Sequence, residues 1–231
     1  NIAISFDPNS SGKFVVTYQS GGGIDHAAKV GTVSGTSISF GSGYNYGIHA
    51  STVAMAFDPN SSKFVVAYQA GGNGNKGSAV VGTVSGTSIS YGATVIFNNA
   101  SSGDKSLSFD PNTTGKFVIV YQDLGNSSYG TAIIGSLSGT SASYGAEYVY
   151  RSDTCYGSLV AFDPNTAGSF VVSFENSSTG HGSAVGGTIT GSSISYGATS
   201  SYNAGSTSHA SLSFDPNNVG KFVSAFTDGT D

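Results

Sequence analysis

A chain of 231 residues has room for one large all-β domain or two small ones, and its composition narrows what either can do. Charged residues are only 9%, against about a quarter in ordinary soluble domains, yet apolar residues reach 38% with 13 Tyr and 14 Phe, so a packed core is available and disorder is excluded. The net charge of −5 without any Lys/Arg cluster argues against nucleic-acid and anionic-membrane surfaces, and no apolar run of about 18 residues exists to insert into a bilayer.

Gly, Asn, Ser and the β-branched and aromatic residues supply turns and strands, and no stretch sustains the helical apolar period of about 3.6 residues, so essentially no helix is expected. Cys155 is the sole cysteine, which rules out an intramolecular disulfide; in this Gly/Ser-rich background it reads as a tolerated small residue rather than a nucleophile. Starting at Asn1 with no signal-like apolar segment, the chain reads as a processed or trimmed piece.

The first expected strand, Ile2 to Ser5, leads into Phe-Asp-Pro-Asn at Phe6, and that tetrapeptide returns at Phe57, Phe109, Phe162 and Phe214, at spacings of 51, 52, 53 and 52 residues. All five prolines lie in it. Asp and Asn close tight turns through side-chain-to-backbone bonds and Pro presets φ, so the tetrapeptide between apolar runs is a hairpin turn. The second strand of each unit, Phe14 to Tyr18 and its counterparts from Phe64, Phe117, Phe170 and Phe222, is apolar on both faces and so needs a neighbour on each side. A second hairpin follows, clearest as Ala79 to Val84, the turn Ser85-Gly86-Thr87-Ser88, and Ile89 to Tyr91.

Four strands therefore recur, here called A to D; in the third unit they are Leu107 to Phe109, Phe117 to Tyr121, Ala132 to Leu137 and Ala142 to Val149. This pattern predicts one all-β repeat domain over 1–231, a β-propeller of four-stranded antiparallel blades of about 52 residues, with units starting near 1, 52, 104, 157 and 209 and the last incomplete. A β-helix or leucine-rich repeat has a shorter period, and one unit alone cannot bury two apolar faces. Ring closure stays open: a two-stranded last blade, a larger ring completed by further residues, or an open stack continued by other chains each fit, and a five-bladed or longer propeller seen as a fragment is favoured.

The units differ at one end. The A–B and C–D turns are nearly constant, whereas the B–C loops and D–A crossovers vary. Six positions before the shared Gly of strand C (Gly31, Gly82, Gly135, Gly187) stand Asp25, Lys76, Tyr129 and His181, and the histidines His26, His49, His181 and His209 all fall in or beside these segments, as do Glu175 and Arg151. Binding residues commonly ride on loops held by a rigid scaffold, so the candidate ligand-binding residues are Asp25, His26, Lys76, Tyr129, His181, Glu175 and Arg151; drift on exposed loops is the competing reading.

The constant Asp column (Asp7, Asp58, Asp110, Asp163, Asp215) reads as structural turns rather than calcium loops, which supply several carboxylates. No metal site and no cofactor is expected. Asn-x-Ser/Thr sequons begin at Asn9, Asn60, Asn99, Asn112, Asn126 and Asn176, in turns already crowded with those residues. A glycosidase on this scaffold needs two neighbouring carboxylates; Glu147 with Asp153, or Asp123 with Glu175, are the available pairs, and nothing in their spacing demands convergence. The chain is read as non-enzymatic.

The unit Phe109 to Asp123, continued by Gly130 to Ser141, resembles repeats in large proteins of marine bacteriophages and marine bacteria, and in length and strand count it is similar to lectin propellers of the tachylectin-2 type. The first likeness implies a phage structural or cell-surface adhesion protein and the second implies carbohydrate binding. Together with the variable face, they predict an extracellular or virion-surface binding module for glycan or surface protein, assembling with further repeats or other chains. A purely structural fibre module and a glycoside hydrolase are the alternatives.

Overall fold

The computed structural model describes residues 2–19 and 25–229, the side chains of Ile48 and His209 excepted. It divides into two compact units, Asn1–Ser101 with Ser136–Ser143, and Ser102–Gly135 with Tyr144–Asp231. The strands pair antiparallel, and the helical content of the described residues is a single 3-10 turn at Gly71–Asn73.

In the first unit, β1 (Ala3–Phe6), β2 (Lys13–Gln19) and β3 (Asp25–Ser34) form a meander, and β4 (Ser37–Phe40) and β5 (Tyr44–Ile48) both pair with β3. The second module repeats this with β6 (Ala50–Phe57), β7 (Lys63–Ala70), β8 (Lys76–Ser85), β9 (Ser88–Tyr91) and the first half of β10 (Val95–Phe109). In the second unit, the latter half of β10 pairs with β11 (Lys116–Asp123), followed by β12 (Tyr129–Ser138) and β13 (Ser141–Phe162). The fourth module is the end of β13 with β14 (Ser169–Asn176), β15 (His181–Thr190), β16 (Ser193–Tyr196) and the start of β17 (Ser200–Phe214). The fifth is the end of β17 with β18 (Phe222–Asp228).

The repeat and its A, B and C strands match the sequence expectation, but the D–A crossover is not a loop. Expected strand D in the third module, Ala142 to Val149, runs on without a break into the next A strand as the 22-residue β13; in modules 2 and 4 a short break follows β9 and β16, after which β10 and β17 run unbroken into the next A strand over 15 residues each. Register shifts explain how: β10 slips against β8 between Ile96 and Ser101 and against β11 between Ser102 and Lys105, so bulged residues swing the strand from one sheet to the next without ending it. In the first module His49, at φ 50, interrupts the ribbon between β5 and β6.

Successive modules pack face on face within each unit. Val15, Ala28, Val30 and Tyr46 of module 1 meet Met55, Phe57, Phe64, Val66 and Tyr68 of module 2. In the second unit Val118, Ala132, Ile134 and Tyr150 of module 3 meet Val160, Phe162, Phe170, Val172 and Phe174 of module 4. Each contact thus joins a valine-rich face to a phenylalanine-rich one. Inner B strands are buried on both faces, with Val65, Val66, Val118 and Ile119 fully buried, while Val223 on the fifth module is 70% exposed.

An aromatic column explains the repeated Phe. The ring that ends each A strand tilts against the ring that opens the B strand, as in Phe57–Phe64 at 5.2 Å and Phe109–Phe117 at 5.0 Å, and an aromatic at the end of the C–D hairpin meets the latter edge-on, as in Phe64–Tyr91 and Phe117–Tyr144. The shared strand-C glycine lies directly under it. A Cβ on Gly31, Gly82, Gly135 or Gly187 would land within the ring of Phe14, Phe64, Phe117 or Phe170, so this column must be Gly.

The Phe-Asp-Pro-Asn turn also works as a latch between modules. Asp110 Oδ1 accepts the Asn112 N–H at 2.9 Å while its Oδ2 accepts the Gly168 N–H of the next module at 3.0 Å; Asp163 does the same with Asn165 and Gly220. Asn112 Nδ2 donates to Pro164 O, Asn9 Nδ2 to Ser61 O, and the ammonium groups of Lys13 and Lys116 donate to Gly86 O and Gly191 O in the following C–D turns. Module 2 is one residue shorter and lacks the turn glycine, which leaves Asp7 Oδ2 buried without a hydrogen-bond partner.

Candidate functional site

Because β3, β8, β12 and β15 begin at the same place, Asp25, Lys76, Tyr129 and His181 are each the first residue of a third strand, half-buried beside the B–C loop. For the first module that loop is residues 20–24, outside the described residues, as are Asp231 and the His209 side chain. Strand alternation turns the next residue inward. His26 is 4% exposed, its ring 6.3 Å from that of Tyr46, and burial lowers its pKa. Its column is Gly77, Gly130 and Gly182 in the other modules, where a Cβ on Gly130 would strike Tyr150 and Cys155 and one on Gly182 would strike Tyr202. That column is a tight packing position, so His26 belongs to the interior rather than to a presented surface.

Arg151, on β13, forms an ion pair with Asp153 at 3.2 Å and donates to Asn176 Oδ1 at 3.1 Å. Ser178 Oγ donates to Asp153 Oδ2, and the Thr154 N–H donates to Asp153 Oδ1; these bonds, the serine's first, hold the Asp153 carboxyl below the usual carboxylate range. The B–C loop of module 4 is thereby pinned to the D–A ribbon.

Glu175 sits on β14 opposite Tyr156 and Gly182. In the sister modules its place is held by Gln19, Gln69 and Gln122. Its carboxylate has no hydrogen-bond or ion-pair partner among the described residues, and it lines a cavity of about 210 Å³ with Tyr156, Gly157, Tyr202, Thr207 and Ser208. The walls are held in place: Tyr202 packs its ring on Phe226 at 5.1 Å with its hydroxyl 3.0 Å from Ser173 Oγ, Asn203 Nδ2 donates to Thr207 Oγ1, and the Gly157 N–H donates to Asp104 Oδ2. Tyr156 is 46% exposed at the mouth.

The first unit has a related cavity of about 300 Å³ lined by Tyr46, Tyr68, Asn73, Ser78 and Thr94, with Tyr68 Oη and Thr94 Oγ1 3.3 Å apart. Tyr46 and Tyr202 occupy the same column of the repeat. Of the residues expected from sequence, Glu175 alone lines either cavity; Tyr46, Tyr68 and Tyr202 were not expected, because their periodic placement reads as core, nor was Tyr156, whose place is held by Ser51, Gly103 and Ser208 in the sister modules. Glu147, one of the acids considered for hydrolysis, accepts a 2.7 Å hydrogen bond from the buried Tyr121 hydroxyl, whose pKa rises through burial and that bond. The five turn aspartates serve backbone donors as described above, with Asp163 and Asp215 held below the usual range chiefly by the N–H groups of Asn165 and Asn217.

No family model matches the chain, and no curated protein matches it in sequence. Among solved structures it is similar to a Lactobacillus plantarum protein at TM-score 0.67 and 10% identity, covering 93% of this chain and 60% of that one. It is similar to an exo-β-1,3-galactanase of Phanerochaete chrysosporium, crystallised with β-1,3-galactotriose, at TM-score 0.54 and 11% identity, with 96% and 59% covered. The Aleuria aurantia lectin in complex with α-methyl-L-fucoside matches at TM-score 0.53 and 14% identity, with 91% and 66% covered. At such identities the likeness is one of fold, and the chain spans about three fifths of the first of these proteins. The fold is therefore that of an all-β protein of antiparallel sheets with propeller-like neighbours. A lectin stands among those neighbours, in line with the lectin likeness, and no sequence family accompanies the likeness to marine phage and bacterial repeats.

Proposed function

We propose that the chain is a non-enzymatic binding module that takes a glycan into the Glu175 cavity, its modules stacked as four complete propeller blades and a partial fifth. The observation that carries this reading is the convergence of the Tyr156 and Tyr202 side chains, the unpaired Glu175 carboxylate and the Thr207 and Ser208 side chains on one cavity of about 210 Å³. A sugar ring offers C–H faces to aromatic rings and hydroxyls to carboxylate and hydroxyl groups, and a rigid apolar pocket with few polar groups suits such a ligand. The lectin and galactanase neighbours, each solved with a saccharide, support the same ligand class. Lys76, Tyr129 and His181, at the matching strand starts, would set the reach of the loops around bound ligand.

Hydrolysis is the weaker reading, since it needs two neighbouring carboxylates and Glu175 is the one acid lining this cavity, while Glu147 is engaged by the Tyr121 hydroxyl and Asp153 by Arg151 and Ser178. The Asp-Pro-Asn latch favours a structural role alongside binding. By the phage and bacterial likeness the setting would be a virion or cell surface; no helix of the described residues is long and apolar enough to cross a membrane.

The test is a glycan array followed by titration of the best hit, with α-methyl-L-fucoside and β-1,3-galactotriose as first probes. Tyr202→Ala and Glu175→Ala should each weaken binding about tenfold or more, for a lost stacking face and a lost charged acceptor. A panel with no saccharide bound, or a bound one indifferent to both substitutions, overturns the proposal.

A further inference from the structure

The cavity of the first unit is built by modules 1 and 2 alone, and its chemistry differs from that of the Glu175 cavity. Its floor is buried: Tyr46 and Tyr68 are 7% and 3% exposed with their rings 5.7 Å apart, and Ser78 on β8, paired with Tyr68 in the sheet, is sealed with them. Its rim is exposed and polar, made by Thr94 ahead of β10 and by Gly72 and Asn73 of the B–C loop of module 2. That loop holds the 3-10 turn and is fastened at both ends, the Gly71 N–H donating to His49 O and the Asn75 N–H to Ala70 O, each at 3.0 Å.

One column of the repeat accounts for the space. In modules 2 and 4 a glycine of strand C faces an asparagine of the crossover, Gly77 against Asn98 and Gly182 against Asn203. Module 1 reverses the order, with His26 on strand C and Gly47 on the crossover. Gly47 lines the cavity, and a Cβ there would lie 3.3 Å from the Tyr68 ring. The reversal therefore strips side-chain bulk from the ribbon in front of Tyr68 and leaves a hollow of about 300 Å³, at the small end of the range for ligand pockets. The hollow is polar without being charged. In module 3 the column of Thr94 carries Glu147, whose carboxylate takes the Tyr121 hydroxyl; here a neutral threonine stands 3.3 Å from Tyr68 Oη, and none of the lining residues is an acid or a base. Burial raises the Tyr68 pKa, so its hydroxyl stays protonated. A neutral sugar residue would set C–H groups on the tyrosine rings and hydroxyls on the phenol, alcohol and amide groups, whereas an ionised one would bury its charge with nothing to balance it.

We infer that the Gly47 cavity is a second binding site, selective for an uncharged saccharide residue and filled independently of the Glu175 cavity. It rests on the reading of the chain as a glycan-binding module and adds to it a site of different chemistry.

Isothermal titration calorimetry of the chain carrying Glu175→Ala with Tyr202→Ala, which disables the other cavity, isolates this one. The probes are methyl galactoside and methyl glucoside beside galactosamine, glucosamine, galacturonic acid and glucuronic acid. A neutral glycoside should bind at one per chain, and its charged counterparts about tenfold or more weakly. Asn73→Ala and Thr94→Val, on the exposed rim, should each weaken it several-fold, and Gly47→Asn, which restores the residue of modules 2 and 4, should abolish it. Far-UV circular dichroism like the parent's qualifies each variant; the two rim substitutions in Glu175→Ala alone carry the test if Tyr202→Ala or Gly47→Asn does not qualify. Binding by the parent that is lost in the Glu175→Ala, Tyr202→Ala chain overturns this inference and leaves the glycan reading standing. Residual binding that ignores Asn73 and Thr94, or that prefers a charged sugar, overturns it as well, and a parent that binds no saccharide overturns both.

Discussion

Replacing Phe117 by Ala removes the ring at the centre of the third module. Phe117 is fully buried, 5.0 Å from Phe109 and 6.0 Å from Tyr144, and the residue facing it across the sheet is Gly135, which has no side chain to fill the void. Buried Phe→Ala changes cost roughly 3–5 kcal/mol, and with two aromatic partners lost and nothing to collapse inward the value should lie near the top of that range. Phe222 is the same residue of the repeat in module 5, but it is 38% exposed with one ring partner, Phe214, at 5.7 Å. Scaling by the burial retained, Phe222→Ala should cost roughly 2 kcal/mol. The chain has no Trp, so urea unfolding is followed by tyrosine fluorescence and far-UV circular dichroism. Both variants losing the same stability, or Phe222→Ala losing more, would refute the argument that a module's B strand is stabilised by neighbours on both flanks.

Gly135→Ala, which drives a methyl into the Phe117 ring, should cost about 1–3 kcal/mol by urea denaturation although Ala is the better strand former; no loss would show that the ring has room to move. The carboxyls of Asp163 and Asp215 have depressed pKa values in the folded chain, so their contribution is present above the unfolded value near 4 and is lost as pH falls through the folded one; melting temperature should be flat near neutrality and drop below about pH 4, less steeply in Asp163→Asn. The Cys155 thiol is fully buried and burial raises its pKa, so a maleimide should leave the native chain unlabelled and label it fully in urea; rapid native labelling would contradict its place in the core.

The repeat was legible because five copies of one turn fix the period, and because each B segment is apolar on both faces. The crossover was not. Ser101 to Ser106 and Ser200 to Ser211 are polar, glycine-bearing and aperiodic, the marks of a loop, yet bulges let them remain strand while they change sheets. The site was half-visible for a related reason. Glu175 was reached through its place beside a variable loop, but Tyr150 and Tyr202 occupy one column with the same identity, the first in the core and the second lining a cavity. His26 shows the converse: comparison with Gly77, Gly130 and Gly182 would have placed it inside, since a column that is otherwise glycine marks close quarters.

The two ends of a module differ in what their polar groups are committed to. At the turn end, Asp carboxylates, Asn amides, Lys ammonium groups and glycine N–H groups bond to the next module, and a change in any of them leaves a partner unsatisfied, as the orphaned Asp7 Oδ2 beside the shortened second turn shows. At the loop end, Asp25, Lys76, Tyr129 and His181 share one position with four unrelated chemistries. A repeat array that fixes its stacking through one end is free to diversify at the other. Glu175, with an unpaired charge where its sister modules carry an uncharged amide, is the point at which that freedom has produced a group suited to a ligand rather than to the stack.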